Sequence, residues 1–493
     1  MDLCSDGMGA VPLDRPWSTV AAVPVPLVRV LKVAAEYEQA GRYDDAAELL
    51  RAVLDAVPDQ PDALHLLGVL AFRKDDLPTA VRLTEQAIAQ GASPALFWRN
   101  LCTMYERVGR YEEAVSAGRR ATELDPRDPE AQHNLGVAYY RLLRIDEAVA
   151  CARRAILLDP TLPAAHFALA EALLVQGEFA AGWEEYEWRF QMPDAGTLLP
   201  KTDAPQWNGA PIADGRLLLI ADQGFGDVIQ FSRYIPWARE RCPHLVLACG
   251  GEVLSLFRHN FPWLHLTNRL DLGVPFSASC PLSGLPRLHG TNLETMLATT
   301  PCIRAVPDSV ADWKRRLDVL SPGPKRRIGI VWAGRANPPN RSMGLPMLAP
   351  VAALDGVVLV ALQKGAAQAE VAGYNGRAPL INLGPEIADF SDTAAIIESL
   401  DLVVTIDTAV AHLAASMSKP VWIMLPYSSD WRWLRGRSDS PWYPTARLFR
   451  QEAPGQWGPV AARVAEALSG TEAAPLRCAG NDSDPGRPER RLV

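Results

Sequence analysis

A fixed spacing governs the N-terminal part of this chain. A turn residue recurs at Gly41, Asp75, Gly109, Leu143 and Gly177, each 34 residues from the last. Other positions keep the same register. Alanine recurs as Ala46, Ala80, Ala114 and Ala148, with Gly182 closing the series, and a second small residue as Ala34, Gly68, Cys102, Gly136 and Ala170. An aromatic position reads Tyr37, Ala71, Tyr105 and Tyr139, and a proline follows as Pro58, Pro126 and Pro160. Small residues are needed where two helices touch closely, larger ones fill the grooves between, and proline stops a helix. A single helical hairpin of this size cannot bury its apolar face, so neighbouring hairpins must stack into a solenoid. The register gives about five repeats over residues 27–192, the last degenerate.

The period and its residue pattern resemble the tetratricopeptide repeat. That resemblance implies an extended surface for a protein partner, while any one exposed side chain on it has the ordinary role of a solvated helix face. The closing segment Gly177–Phe190 replaces the usual small residues with Trp183, Tyr186 and Trp188. Such a segment either docks the array onto the next domain or caps it hydrophobically, and both readings stand at this stage.

At 493 residues the chain exceeds one ordinary core, so roughly two to four domains are expected. A formal net charge of −8 gives no reason to expect nucleic acid or an anionic membrane as a partner. The eight cysteines (Cys4, Cys102, Cys151, Cys242, Cys249, Cys280, Cys302 and Cys478) form no CxxC pair and no metal-ligand spacing, which reads as reduced thiols of a cytoplasmic protein with no metal site. No apolar run has the length to span a bilayer, and Met1–Pro26 lacks the basic start of a secretory signal.

Past a Pro- and Trp-containing connector, Pro200–Pro211, short apolar runs alternate with amphipathic stretches, the pattern of βαβ units and a parallel sheet. Strands are expected at Arg216–Ala221, His244–Cys249, Arg327–Trp332, Val357–Leu362, Leu380–Leu383, Leu402–Ile406 and Val421–Leu425, with a helix at Val228–Arg239. The restart after Ser321–Lys325 favours two doubly wound halves split near residue 322, with ligand bound at the strands' carboxyl ends in the cleft between them. Thr471–Val493 is Pro-, Gly- and charge-rich and is expected to be disordered, so its Asp482-Ser483-Asp484 is discounted as a metal motif.

Several strand-end loops carry chemistry. Gly224 and Gly226 allow a tight turn that exposes a helix N-terminus, and Asp227 there is either a helix cap or a general base facing the cleft. Asp407-Thr408 follows a strand directly, with His412 one turn into the next helix; this is either a diphosphate cradle or a capping Thr with a satisfied histidine. Lys364, just past another strand, is placed to neutralise a leaving phosphate, although a lone surface lysine is the usual outcome. Arg335, Arg341 and Ser342 belong to a fourth loop whose guanidinium groups suit phosphate.

Read as a set, these residues resemble the two-lobed GT-B glycosyltransferases, specifically the heptosyltransferase-like family 9. Gly224–Val228 resembles the family's N-lobe loop, whose aspartate deprotonates the acceptor hydroxyl; Asp407-Thr408 with His412-Leu413 resembles its C-lobe D-T-x-x-x-H-L segment, which grips the donor diphosphate; Lys364 takes the place of the lysine that stabilises the leaving group. The resemblance implies a multidomain fold: an all-α tetratricopeptide solenoid, then an α/β GT-B module of two Rossmann-like lobes. Its parts are a flexible N-terminus 1–26, repeats 27–192, a connector 193–213, an N-terminal lobe 214–321, a C-terminal donor-binding lobe 322–470 and a disordered tail 471–493. It further implies metal-independent sugar transfer from a nucleotide-diphosphate donor, with no cofactor beyond that co-substrate, to a hydroxyl of a protein recruited by the repeats. A lipid-linked saccharide acceptor and a non-catalytic scaffold are the rival readings. The lipopolysaccharide heptosyltransferases lack a repeat array, so their acceptor does not carry over. Repeat-linked O-GlcNAc transferases share the architecture, but their histidine–threonine–threonine segment is missing here. Asp430-Trp431-Arg432-Trp433 and Ser440–Pro444 are Trp-rich and either wall the donor site or pack the C-lobe.

Overall fold

The computed structural model describes residues 10–11, 25–91, 93–193, 202–269, 275–298, 301–335 and 339–470. The tail with Asp482-Ser483-Asp484, most of the N-terminal 1–26 and part of the connector lie outside the described residues. The chain divides into two compact units, Met1–Ala195 and Gly196–Val493.

In the first unit a short antiparallel pair, β1 (Ala10–Val11) with β2 (Val25–Pro26), precedes five helical hairpins. These are α1 (Leu27–Gln39) with α2 (Tyr43–Ala56), α3 (Pro61–Arg73) with α4 (Leu77–Ala89), α5 (Ala95–Arg107) with α6 (Tyr111–Leu124), α7 (Pro129–Arg141) with α8 (Ile145–Leu158), and α9 (Pro163–Gln176) with α10 (Phe179–Tyr186). The 34-residue register has a backbone cause. Gly41, Asp75, Gly109, Leu143 and Gly177 all take left-handed φ, from 57° at Leu143 to 88° at Gly177. The next N–H then closes the turn onto a carbonyl five residues back, as in Arg42 to Tyr37 at 2.8 Å and Arg110 to Tyr105 at 2.9 Å. The aromatic position gains a role from the same turn. Arg42, Arg110 and Arg144 lie over Tyr37, Tyr105 and Tyr139 at 4.0, 4.3 and 4.6 Å.

The small positions sit where the helices of a hairpin touch. Ala46, Ala80 and Ala114 are fully buried, and a Cβ on Gly68 would fall 3.1 Å from the Ala80 carbonyl oxygen. Trp183 and Tyr186 are buried within the last hairpin beside Phe179, and Trp188 stacks on His166 at 3.8 Å. Within its own unit the aromatic segment therefore packs as an apolar cap.

The second unit holds two all-parallel sheets. Strands β3 (Leu217–Ile220), β4 (Leu245–Ala248), β5 (His265–Thr267) and β6 (Ala278–Pro281) form the first, in the order β5-β4-β3-β6. Strands β7 (Arg326–Val331), β8 (Val357–Ala361), β9 (Leu380–Asn382), β10 (Leu402–Ile406), β11 (Val421–Leu425) and β12 (Ala446–Arg450) form the second, ordered β12-β11-β10-β7-β8-β9. Counted in chain order within its lobe, that sheet is the doubly wound 3-2-1-4-5-6 arrangement, and its order reverses between β7 and β10. Its core joins Ile328, Ile330, Val404, Ile406 and Met424 to Val460 and Val464 of the closing helix Trp457–Ser469.

The expected strands are present to within a residue at each end, and among the described residues of the second unit three more appear: β5, β6 and β12. The helix expected at Val228–Arg239 starts earlier and is broken. It runs Phe225–Phe231, passes through a tight turn at Ser232–Tyr234 and resumes as Ile235–Arg241, with Pro236 at the restart. Among the described residues no helix is long and apolar enough to cross a membrane.

Candidate active site

The loops after β3, β7, β8 and β10 converge on one cleft of about 490 Å³. Gly224, Gly226, Asp227, Arg335, Arg341, Lys364, Asp407, Thr408 and His412 all line it. Ser342 does not. Its hydroxyl accepts from the Gly334 N–H at 3.0 Å and so braces the loop that carries Arg341.

Asp227 is not the helix cap. Gly224 holds that position with extended backbone, and Asp227 is the third helical residue, in the first turn. Its side chain keeps 25 % exposure and meets the Arg432 guanidinium. Burial pushes the carboxyl above the usual carboxylate range, Asp430 adds to this, and Arg432 opposes it.

Thr408 is the cap residue of helix Ala409–Ser416, yet its hydroxyl makes no capping bond and pairs with Thr405 at 3.0 Å. The helix N-terminus is thus left open to the cleft at the sheet's switch point, where backbone N–H groups favour an anion. His412 is buried, with Nδ1 2.8 Å from the Tyr443 hydroxyl and its ring stacked on Trp433 at 5.3 Å. Burial and the nearby arginines push it well below the ordinary histidine value, so the ring is neutral. The tautomer in which Tyr443 donates to Nδ1 puts the proton on Nε2, which lies 3.7 Å from Asp407 Oδ1. Asp407 itself is pushed up to about 6 by burial and by Asp430, with Arg341 opposing. An ionised Asp407 would repel a diphosphate, so its place in the set is beside His412 and Arg341 rather than against phosphate.

Lys364 donates to the Ile387 carbonyl and keeps further N–H groups for the cleft. The Nε of Arg341 is buried and has no hydrogen-bond partner among the described residues. Two contributors carry no local sequence signal. Gln363 accepts from the N–H groups of Trp332 (3.1 Å) and Ala333 (2.9 Å) and donates to the carbonyls of Ala333 and Lys364, locking the ends of β7 and β8 together. Arg432 is the other. Trp332, Trp431, Trp433, Trp442 and Tyr443 are fully or almost fully buried and none lines the cleft, so these aromatic rings pack the C-lobe behind the site while Asp430 and Arg432 between them reach the cleft wall.

Two parallel-sheet lobes whose strand ends face one cleft make up a two-lobed α/β module that follows a helical repeat array in the chain. Sequence comparison agrees on both parts. Residues 34–96 and 129–162 match the tetratricopeptide repeat, residues 105–142 match the TPR repeat, and residues 353–433 match glycosyltransferase family 9 (heptosyltransferase). The chain thus carries tetratricopeptide repeats and, in its C-terminal part, a stretch that matches glycosyltransferase family 9. Protein FlbA of Caulobacter vibrioides is 29 % identical over 471 residues, which cover 88 % of this chain and 72 % of that protein. The peroxisomal targeting signal receptor of Saccharomyces cerevisiae is 32 % identical over 77 residues, 16 % of this chain and 13 % of the receptor. Among solved structures, YrrB, a TPR protein with an unusual peptide-binding site, is 18 % identical and covers 34 % of this chain and 87 % of its own, with a TM-score of 0.30. A thermophilic TPR protein of Thermus thermophilus is 24 % identical over 34 % of this chain and 92 % of its own, again with a TM-score of 0.30.

Proposed function

We propose that the cleft transfers a sugar from a nucleotide-diphosphate donor to a hydroxyl acceptor, and that the repeats recruit that acceptor as a protein. The carrying observation is the sheet reversal between β7 and β10, where Arg341, Lys364 and the open N-terminus of helix Ala409–Ser416 meet across the cleft from Asp227. In this reading the acceptor oxygen attacks the anomeric carbon while Asp227 takes its proton. The bond from that carbon to the diphosphate oxygen breaks. Lys364, Arg341, the helix N–H groups and neutral His412, donating from Nε2, take up the charge that develops. Fixed cations and helix dipoles suffice for this without a metal or another cofactor. The donor-binding lobe is then 322–470 and the lobe supplying the base 214–321. A cytoplasmic setting is supported by the free thiols of Cys102, Cys151, Cys242, Cys249 and Cys302.

Asp227→Asn tests the base. Donor affinity by calorimetry is expected to stay within about twofold while turnover falls about 100-fold or more. Parallel losses in both, with a lower melting temperature, would assign Asp227 to helix stability instead.

A further inference from the structure

We propose that Arg432 is a positioning residue for Asp227: reaching across from the C-terminal lobe, it fixes the carboxylate's orientation and keeps it ionised. The base is then competent only while the two lobes lie against each other as they do here. This rests on the reading of Asp227 as the base.

The geometry carries the proposal. Arg432 is buried, and its fork is committed in several directions at once. Nε donates to Gln230 Oε1 at 2.7 Å, Nη1 to both oxygens of Asp430 at 2.9 and 3.0 Å, and Nη2 to Gln223 Oε1 at 3.4 Å and to Asp227 Oδ1. Gln223, Asp227 and Gln230 all come from the loop and helix after β3, whereas Asp430 lies two residues from Arg432. The guanidinium also lies 4.3 Å over the Trp431 ring and 5.5 Å from that of Phe231. Gripped this way, Arg432 is poorly placed to swing onto a donor phosphate, which leaves that work to Arg341 and Lys364.

A plain fastener between the lobes is built differently, and the same interface contains one. Arg233, on the N-terminal lobe, donates through Nη1 to the backbone carbonyls of Trp442 (3.0 Å) and Leu297 (2.8 Å) and lies 4.7 Å from the Tyr443 ring. It meets no carboxylate in these contacts. Arg432 instead spends its fork on the base, on the base's neighbours and on a second acid.

The charge balance gives the expected sign. No other ionisable residue lies on Asp227's own helix, Phe225–Phe231. Arg432, Asp430, Asp407 and neutral His412 face it from the opposite lobe, Arg335 reaches the Gly224 turn, and Glu252 joins the cleft wall from beyond β4. Arg432 is the charged group that opposes both burial and Asp430 at Asp227, with the backbone N–H groups of Gly224 and Asp227 acting in the same direction. Without it, Asp227 and Asp430 share a half-buried site with that compensating charge removed, and Asp227 holds its proton to higher pH.

The test is a carbon-13 carboxyl titration of the ligand-free full-length protein labelled at aspartate, with the Asp227 signal assigned by its loss in Asp227→Asn. Arg432→Gln is expected to raise the Asp227 midpoint by about one pH unit or more, and Arg432→Lys, which keeps a charge without the fork, by less. An unmoved midpoint in folded Arg432→Gln overturns the proposal. Should that variant fail to melt cooperatively, a wild-type midpoint in Arg432→Lys overturns it instead. No donor is present, so failure here leaves the sugar-transfer reading intact, and failure to bind any nucleotide sugar leaves this result intact.

Discussion

At Gly226 the N-terminal lobe lies directly against the helix Ala409–Ser416 of the C-terminal lobe. A Cβ at this position would lie 2.8 Å from His412 Cδ2 and 3.5 Å from the Ala409 Cα. Ordinary carbon–carbon contact is about 3.5–4.0 Å, so Gly226→Ala forces the better part of an ångström of separation. The imidazole cannot yield, because Tyr443 holds Nδ1 at 2.8 Å and Trp433 covers its face, both within a buried core. Helix Phe225–Phe231 must therefore retreat, at a cost of about 1–3 kcal/mol. Asp227 is the next residue and moves with it, and a misplacement of about 1 Å lowers turnover about 100-fold. Urea unfolding of the single variants and of Gly226→Ala with His412→Ala gives the stability cycle, and turnover is read on Gly226→Ala alone. A coupling of at least about 0.5 kcal/mol is expected, since removing the ring removes the clash. Wild-type stability and turnover in Gly226→Ala, or a cost unchanged without the His412 ring, would refute the reasoning.

Further predictions concern the turns and the buried acid. Gly109 has φ 82° and nothing within 4 Å of a Cβ, so Gly109→Ala should cost about 1–2 kcal/mol in thermal or urea unfolding from backbone strain alone, and Gly109→Asn clearly less. Asp407 is pushed up to about 6 in the folded chain against an ordinary value near 4, so folding favours its protonated form. Its contribution is complete below about pH 4 and is lost as pH rises through about 6. Relative to Asp407→Asn, the wild type should lose up to about 3 kcal/mol across that window, measured by urea unfolding at each pH; a difference independent of pH would contradict the assignment.

Much of this architecture is legible in the sequence because its signals are local. The repeat register is written in side-chain size, as at Ala46, Ala80 and Ala114, and in turns that Gly41, Gly109 and Gly177 permit. The central strands of the C-terminal lobe are buried on both faces and read as unbroken apolar runs, as in Leu402–Ile406. The missed strands lack that signal. β6 reads Ala-Ser-Cys-Pro, β5 has three residues, and β12 alternates arginine with apolar residues at a sheet edge. The site divides in the same way. Asp227, Lys364, Thr408 and His412 follow strands directly, so topology alone brings them together. Arg432 meets Asp227 from 205 positions away, and Gln363 acts through backbone groups; neither leaves a mark in its own neighbourhood. Thr408 reads as an N-cap because Thr before a helix usually is one, and only the Thr405 hydroxyl reveals that its oxygen is engaged elsewhere.

The central claim is that a nucleotide-diphosphate sugar binds at the reversal between β7 and β10. Isothermal titration of the full-length chain with a panel of nucleoside diphosphates and their sugar conjugates tests it most directly, with Arg341→Gln as the paired variant. The account predicts saturable binding of at least one compound, weakened about tenfold or more by Arg341→Gln with the melting temperature unchanged. Absence of binding by every compound to a cooperatively folded chain would contradict it.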